Sequence, residues 1–175
     1  MEGLGGMVFF GTTAGAHTVR CRTPPELESL RPPLGSQKVR ISQLELLAVL
    51  VTLYTCGPSL RHKAVRFHID NQAAKFCLIN CYSGNALMAR LASEIWTLLL
   101  EFDISPFFDY VTSEENVADI FSRPDLRQGG DALSDQFKWR AVDPHRGLPA
   151  LRRRINRDPR LSWSTLFNHL YGGTH

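Results

Sequence analysis

The 175-residue sequence predicts an α/β domain, a mixed sheet flanked by helices, followed by a basic extension. Residues 64–70 alternate apolar and polar side chains, which indicates a strand with one buried face. Residues 85–102 repeat apolar side chains at helical spacing. Strands and helices that alternate in this way are typical of layers built around a sheet. The pattern ends near position 124, so we expect a domain over residues 1–124 and an irregular extension over residues 125–175.

The N-terminal part predicts a hairpin and a long helix. Residues 6–10 and 16–22 are β-type segments around GTTAG, and residues 38–41 are expected to form a short edge strand. Ser42 and Glu45 have the spacing of a capping box, which places the start of the helix at Ser42. Gly57 and the proline after it predict its end.

Four more elements are predicted between the half-buried strand and the extension. They are a helix over residues 72–81, a helix over 85–102, a strand over 106–111 and a short helix over 114–121. The second of these helices is predicted to bury one face, formed by Leu87, Leu91, Ile95, Leu98 and Phe102.

Composition narrows the class of protein. The four cysteines form no CxxC pair, and Cys77 and Cys81 are expected to be buried thiols on one helix. With no secretory signal and no long uncharged apolar segment, we expect an intracellular protein, nuclear or cytoplasmic, without a membrane span. The sequence contains no HExxH, P-loop, G-x-S-x-G or dinucleotide-binding motif, which argues against those enzyme classes.

Three acidic residues stand at the ends of predicted elements. Glu45 lies in the first turn of the long helix, Asp70 ends a strand, and Asp119 lies in the short late helix. Each has an ordinary alternative: Glu45 as part of the helix cap, Asp70 as the cap of the next helix, and Asp119 as a solvated helix residue. Two-metal hydrolases need such carboxylates to converge, here within about 8 Å of a common point.

Their order and surroundings resemble the ribonuclease H-like domains of retroelement reverse transcriptases. The resemblance covers roughly residues 5–124. The motifs that carry it are QLELL with Glu45, HIDNQAA with Asp70, and SEENVADIFSR with Asn116, Asp119, Ser122 and Arg123. It implies a ribonuclease H-like mixed sheet and a nuclease that cleaves the RNA strand of RNA/DNA hybrids.

The resemblance also implies a cofactor and a set of site residues. Glu45, Asp70 and Asp119 match three of the family's four carboxylates, which hold two Mg²⁺ ions, with Mn²⁺ as an alternative. Asn71, Gln72, Asn116 and Arg123 match positions that contact nucleic acid. The expected partners are an RNA/DNA hybrid or other nucleic acid, and the reverse transcriptase part of a larger polyprotein.

The sequence departs from the family at its start. Residues 3–11 look like the family's second strand, so the first strand, which carries the first carboxylate and lies centrally in the sheet, is expected to be missing. In an alternative register residues 7–11 are the first strand, and the metal position falls at Thr12 or Thr13, which are weak Mg²⁺ ligands. Either register predicts a weak or inactive enzyme. The rival hypothesis is a non-catalytic nucleic-acid-binding or interaction module that keeps the fold.

The extension carries an excess of basic residues. Residues 1–120 contain 10 Lys and Arg against 12 Asp and Glu, a balance of −2, whereas residues 121–175 contain 10 against 5, a balance of +5. Arg152, Arg153 and Arg154 are the centre of this charge and are expected to contact phosphates. A solvated basic surface without a ligand is the alternative.

Overall fold

The computed structural model describes residues 3–9, 16–22, 37–119 and 140–142. In those residues the elements follow in the order β1 (Gly3–Phe9), β2 (Ala16–Arg22), α1 (Gln37–Leu60), β3 (Ala64–Ile69), α2 (Gln72–Asn80), α3 (Ala86–Glu101), β4 (Ser105–Tyr110) and β5 (Arg140–Val142). This mixture of helices and strands agrees with the predicted α/β class.

The described strands form two separate sheets. In the first, β1 pairs antiparallel with β2, Gly3 lying opposite Arg22, and β5 runs parallel to β2. In the second, β3 and β4 run parallel, with Ala64 opposite Ser105. No strand among the described residues joins β1 to β3, so each of these two strands ends its sheet.

The hydrophobic core lies along α1 and α3, which pack against each other. Leu46, Leu50 and Leu53 of α1 are fully buried, as are Ile95 and Leu98 of α3. Each such side chain stabilises the fold by about 1.5–3 kcal/mol relative to its exposed state. The apolar sides of these two helices therefore form the centre of the core, with β1 against α1, and with β3 and β4 against α2.

The described elements confirm several predictions. β2 has its predicted bounds, and β3, α2, α3 and β4 lie within one or two residues of theirs. All five residues of the predicted α3 face are buried, because the face with apolar residues at helical spacing packs against the core. The sheet partner β5 was not anticipated, since the extension was expected to be irregular and three residues give too short a pattern to recognise.

The predicted start of α1 was wrong. Residues 38–41 are helical rather than an edge strand, and α1 begins at Gln37. The segment contains no glycine or proline, and Gln, Lys and Arg are good helix formers, so the helix extends before Ser42. Ser42 is consequently no N-cap, and the proposed capping box with Glu45 does not exist.

The predicted end of α1 was also displaced. The helix continues to Leu60 with Pro58 inside its last turn, and the chain reverses at His62, which has a φ of 61°. Packing explains why the Gly-Pro pair does not stop the helix: Leu60 is buried, and Gly57 lies against the Phe102 ring. A methyl group on Gly57 would lie 2.6 Å from Phe102 Cδ2, so only glycine fits this contact.

Cys77 and Cys81 were both predicted to be buried, and only one of these predictions was correct. Cys77 is buried, whereas Cys81 is exposed because it caps the end of α2 with a φ of 50°. Burial, and after it the neighbouring Cys81 thiol, raises the pKa of Cys77 to about 11. Cys77 is therefore an inert thiol at neutral pH.

One helix in the described part of the chain, Arg40–Leu60, is long and apolar enough to cross a membrane by length and composition. Its buried leucines lie at the centre of the core. These contacts are those of a core helix, which passes the same test of length and composition.

Candidate functional site

Glu45 lies well inside α1, with its side chain half-buried. Burial is the largest cause that raises its pKa from an ordinary value of 4.5 to about 7, and the negative charges of Asp70 and Asp119 raise it further. Both causes disfavour the charged form, the first by removing water and the second by repulsion. Glu45 therefore changes its charge around neutral pH.

Asp70 directly follows β3, at the edge where β3 and β4 both end. Beyond the paired residues, the Val111 amide donates to the Ile69 carbonyl at 3.1 Å, which keeps the two strand ends together. The Ser113 hydroxyl donates to Asp70 Oδ2 at 3.4 Å. Ligand sites in α/β proteins lie outside the carboxyl ends of strands, which is where Asp70 stands.

Asp119 is reached through a series of turns after β4. Glu115 accepts a hydrogen bond from Thr112 Oγ1 at 3.0 Å, and Asn116 Oδ1 accepts one from the Ala118 amide at 3.1 Å. The Asp119 amide donates to the Asn116 carbonyl at 3.1 Å. The helix predicted over residues 114–121 is thus turns up to position 118 and helical at Asp119, and its end lies outside the described residues.

The structure brings these three carboxyl groups into one electrostatic neighbourhood. They come from α1, from the end of β3 and from the turns after β4, and Glu45 experiences the charge of both aspartates. They are not packed tightly around one point: within the described residues, no three His, Cys, Asp or Glu side chains are grouped so as to hold a single metal ion. Glu45, Asp70 and Asp119 thus form a loose acidic cluster, in which Glu45 is half-buried.

The ordinary alternatives for two of these residues are now excluded. Glu45 cannot belong to a capping box, because α1 begins at Gln37. Asp70 does not cap α2, because that N-cap is Asn71, whose Oδ1 accepts from the Ala74 amide at 2.9 Å. Asp119 is half-buried rather than fully solvated. A capping role therefore no longer explains why acids occupy positions 45 and 70.

The chemistry of this donor set fits a hard divalent cation. Carboxylate oxygens are the ligands that Mg²⁺ and Mn²⁺ prefer. A carboxyl whose pKa is raised to about 7 partly by two neighbouring carboxylates stands where added positive charge would be most favourable. The family resemblance assigns Glu45, Asp70 and Asp119 to such an ion, although in the described residues these three side chains are not grouped closely enough to surround one.

Two buried polar residues of α1, Ser42 and Gln43, were not predicted to belong to the site's framework. Ser42 Oγ donates to Asn71 Oδ1 at 3.0 Å, and Gln43 Nε2 donates to Asn85 Oδ1 at 3.2 Å. Asn71 caps α2 and Asn85 caps α3, so consecutive residues of α1 bond to the caps of both following helices. The available signal was a pair of polar residues in an apolar helix. It was missed because Ser42 had been assigned to a capping box.

The predicted nucleic-acid contacts are only partly within the described residues. Gln72 is exposed at the first turn of α2, next to the acidic cluster, while Asn71 and Asn116 are engaged in the caps and turns described above. Arg123, Arg152, Arg153 and Arg154 lie outside the described residues.

Comparison with known proteins identified no relative. No family model matches the chain, and neither the curated proteins nor the solved structures contain a significant match.

Proposed function

We propose that this chain is a ribonuclease H-like domain of retroelement origin, built for Mg²⁺-dependent hydrolysis of RNA in RNA/DNA hybrids. The single observation that carries the proposal is that Glu45, Asp70 and Asp119 share one neighbourhood, in which burial first, and then the charges of both aspartates, raise the pKa of Glu45. These residues are separated by 25 or more positions in sequence, and the motifs that resemble the family assign all three to one site. A chance set of acids would have no reason to share one neighbourhood.

The split between the two sheets also supports the proposal. In the ribonuclease H-like family the first strand lies centrally, between the partners that correspond here to β1 and β3. The described residues leave these same two strands at the ends of separate sheets. In the family a central strand joins these two pairs of strands, so the separation of β1 from β3 among the described residues supports the proposal.

The residues of the site have distinct tasks in this proposal. Glu45, Asp70 and Asp119 would hold the metal ions, and Ser113 orients the Asp70 carboxylate through its hydrogen bond. Bound Mg²⁺ would supply an activated water and stabilise the departing 3′ oxygen. Gln72, exposed at the start of α2, is placed to contact the nucleic acid, and the 2′-hydroxyl would distinguish RNA from DNA.

Hydrolysis of a hybrid by the 175-residue chain tests the proposal directly. We expect little or no cleavage from the chain itself, because none of its residues matches the family's first carboxylate. Adding an N-terminal strand that ends in Asp should raise Mg²⁺-dependent cleavage by orders of magnitude, and Asp70→Asn in that extended chain should abolish it. If the extended chain folds and binds hybrid but remains inactive, the nuclease assignment fails.

A second function, a non-catalytic nucleic-acid-binding or interaction module, is favoured by a different observation. The described strands β1 and β2 contain no acidic residue, and the three acids are not grouped around one point. Such a module would bind a hybrid or duplex without cleaving it, alone or beside a reverse transcriptase. Hybrid binding that is unaffected by Mg²⁺ and by Asp70→Asn would select this alternative. Either function places the protein in the nucleus or cytoplasm, where reverse transcription occurs.

A further inference from the structure

We propose that Ser42 is a positioning residue for the acidic cluster, acting through Asn71 to fix the start of α2 against α1. Ser42 is only 4% exposed, and its hydroxyl donates to Asn71 Oδ1 at 3.0 Å. Asn71 directly follows Asp70, and Ser42 stands one helical turn before Glu45. The hydrogen bond therefore connects α1, three residues before Glu45, to the junction between β3 and α2, one residue after Asp70.

The geometry of Asn71 makes this connection a rigid one. The same Oδ1 accepts the Ala74 amide at 2.9 Å, so one oxygen both caps α2 and receives the Ser42 hydroxyl. Rotation of the Asn71 side chain would break both bonds together. Loss of such a hydrogen bond costs about 0.5–1.5 kcal/mol, so the paired arrangement is preferred.

The chain contains a matched control in the next residue. Gln43 is also buried, and it donates to Asn85 Oδ1, which caps α3 by accepting the Met88 amide at 3.1 Å. This second connection has the same chemistry, but Asn85 does not adjoin an acidic residue of the cluster. Loss of either bond should weaken a helix cap, whereas only loss of the Ser42 bond should disturb the acidic cluster.

Amide hydrogen exchange of the full 175-residue chain tests the connection itself. Ser42→Ala should accelerate exchange of the Ala74 amide up to about tenfold and leave Met88 unchanged. Gln43→Met, which keeps the volume but removes the donor, should accelerate exchange at Met88 and leave Ala74 unchanged. If Ala74 exchanges at the parent rate in Ser42→Ala, the connection has no positioning effect and the inference is overturned.

Mn²⁺ binding, measured by paramagnetic resonance, tests the consequence for the cluster, which rests on the proposed function. Ser42→Ala should weaken Mn²⁺ binding several-fold, because Asn71, which adjoins Asp70, loses its hydrogen bond to α1, while Gln43→Met should bind like the parent. Equal weakening in both variants would show a general loss of stability and overturn the positioning role. Absence of Mn²⁺ binding by the parent chain would instead refute the proposed function, and the exchange experiment would then decide the inference alone.

Discussion

Replacement of Glu45 by glutamine should make the stability of the protein less dependent on pH. Glu45 has a pKa raised to about 7 in the folded chain, against an ordinary value of 4.5. The folded state therefore binds this proton more tightly than the unfolded state does. The carboxyl group costs nothing below pH 4.5, destabilises increasingly as the pH rises, and exerts its full cost above pH 7.

The magnitude follows from the difference between the two pKa values. From 4.5 to about 7, at about 1.36 kcal/mol for each pKa unit, the cost of ionised Glu45 reaches about 3 kcal/mol above neutrality. Glutamine has nearly the same shape but no charge, so it removes this cost. Relative to the parent, Glu45→Gln should gain about 3 kcal/mol between pH 4.5 and pH 8.

The measurement is urea unfolding of parent and variant across this pH range, in buffer containing a chelator. The difference between the two free energies of unfolding isolates Glu45 and its coupling to Asp70 and Asp119, because groups that do not interact with Glu45 contribute equally to both proteins. Any change in hydrogen bonding adds only a constant offset. A difference that stays constant from pH 4.5 to pH 8 would refute the argument that Glu45 is a buried acid beside two carboxylates.

Three other predictions follow from the same contacts. Asp70→Asn should lower the pKa of Glu45, because it removes one repelling charge. A carboxyl ¹³C titration would detect this change, and an unchanged midpoint would show that Asp70 does not act on Glu45. Gly57→Ala should destabilise the protein by about 1–2 kcal/mol in urea unfolding, because overlap with the adjacent phenylalanine ring outweighs the gain of about 1 kcal/mol in helix propensity. Gly84→Ala, which meets no atom within 4 Å, is the control and should change stability by less than about 0.5 kcal/mol. Changing the arginines at positions 152–154 to alanine should reduce the slope of log K against log salt for duplex binding by up to about three units. A slope identical to that of the parent would show that these arginines do not contact phosphates.

The sequence predicted those elements whose pattern reflects burial. β3 alternates apolar and polar residues, and α3 repeats apolar residues at helical spacing, so each element's pattern records the side that it buries. Both Asn71 and Asn85 are N-caps, a common position for asparagine, although Asp70 had been named as the alternative cap of α2.

The bounds of α1 could not be predicted because contacts distant in sequence, and at its start also the helix propensity of residues 37–41, outweigh the cap and stop signals. Ser42 has the sequence of an N-cap, yet its hydroxyl bonds to Asn71 and the helix begins five residues earlier. Gly57 has the sequence of a helix stop, yet it serves close packing with Phe102. In both cases a partner more than 25 positions away outweighs the local preference.

The acidic cluster could be predicted as a set but not as a geometry. The resemblance named Glu45, Asp70 and Asp119, and the structure places the first within electrostatic range of the others. Nothing in the sequence reveals that Glu45 is half-buried in the interior of a helix, because its position was inferred from a cap that does not form. Ionisation depends on that burial, so the raised pKa follows only from the tertiary structure.

A Mg²⁺ titration followed by carboxyl ¹³C resonances tests most directly whether the three acids form one cation site. If they do, the signals of Glu45, Asp70 and Asp119 will shift along one common binding curve, and the pKa of Glu45 will fall from about 7 as positive charge is added. Signals that follow different curves, or a Glu45 resonance that does not respond to Mg²⁺, would contradict the account.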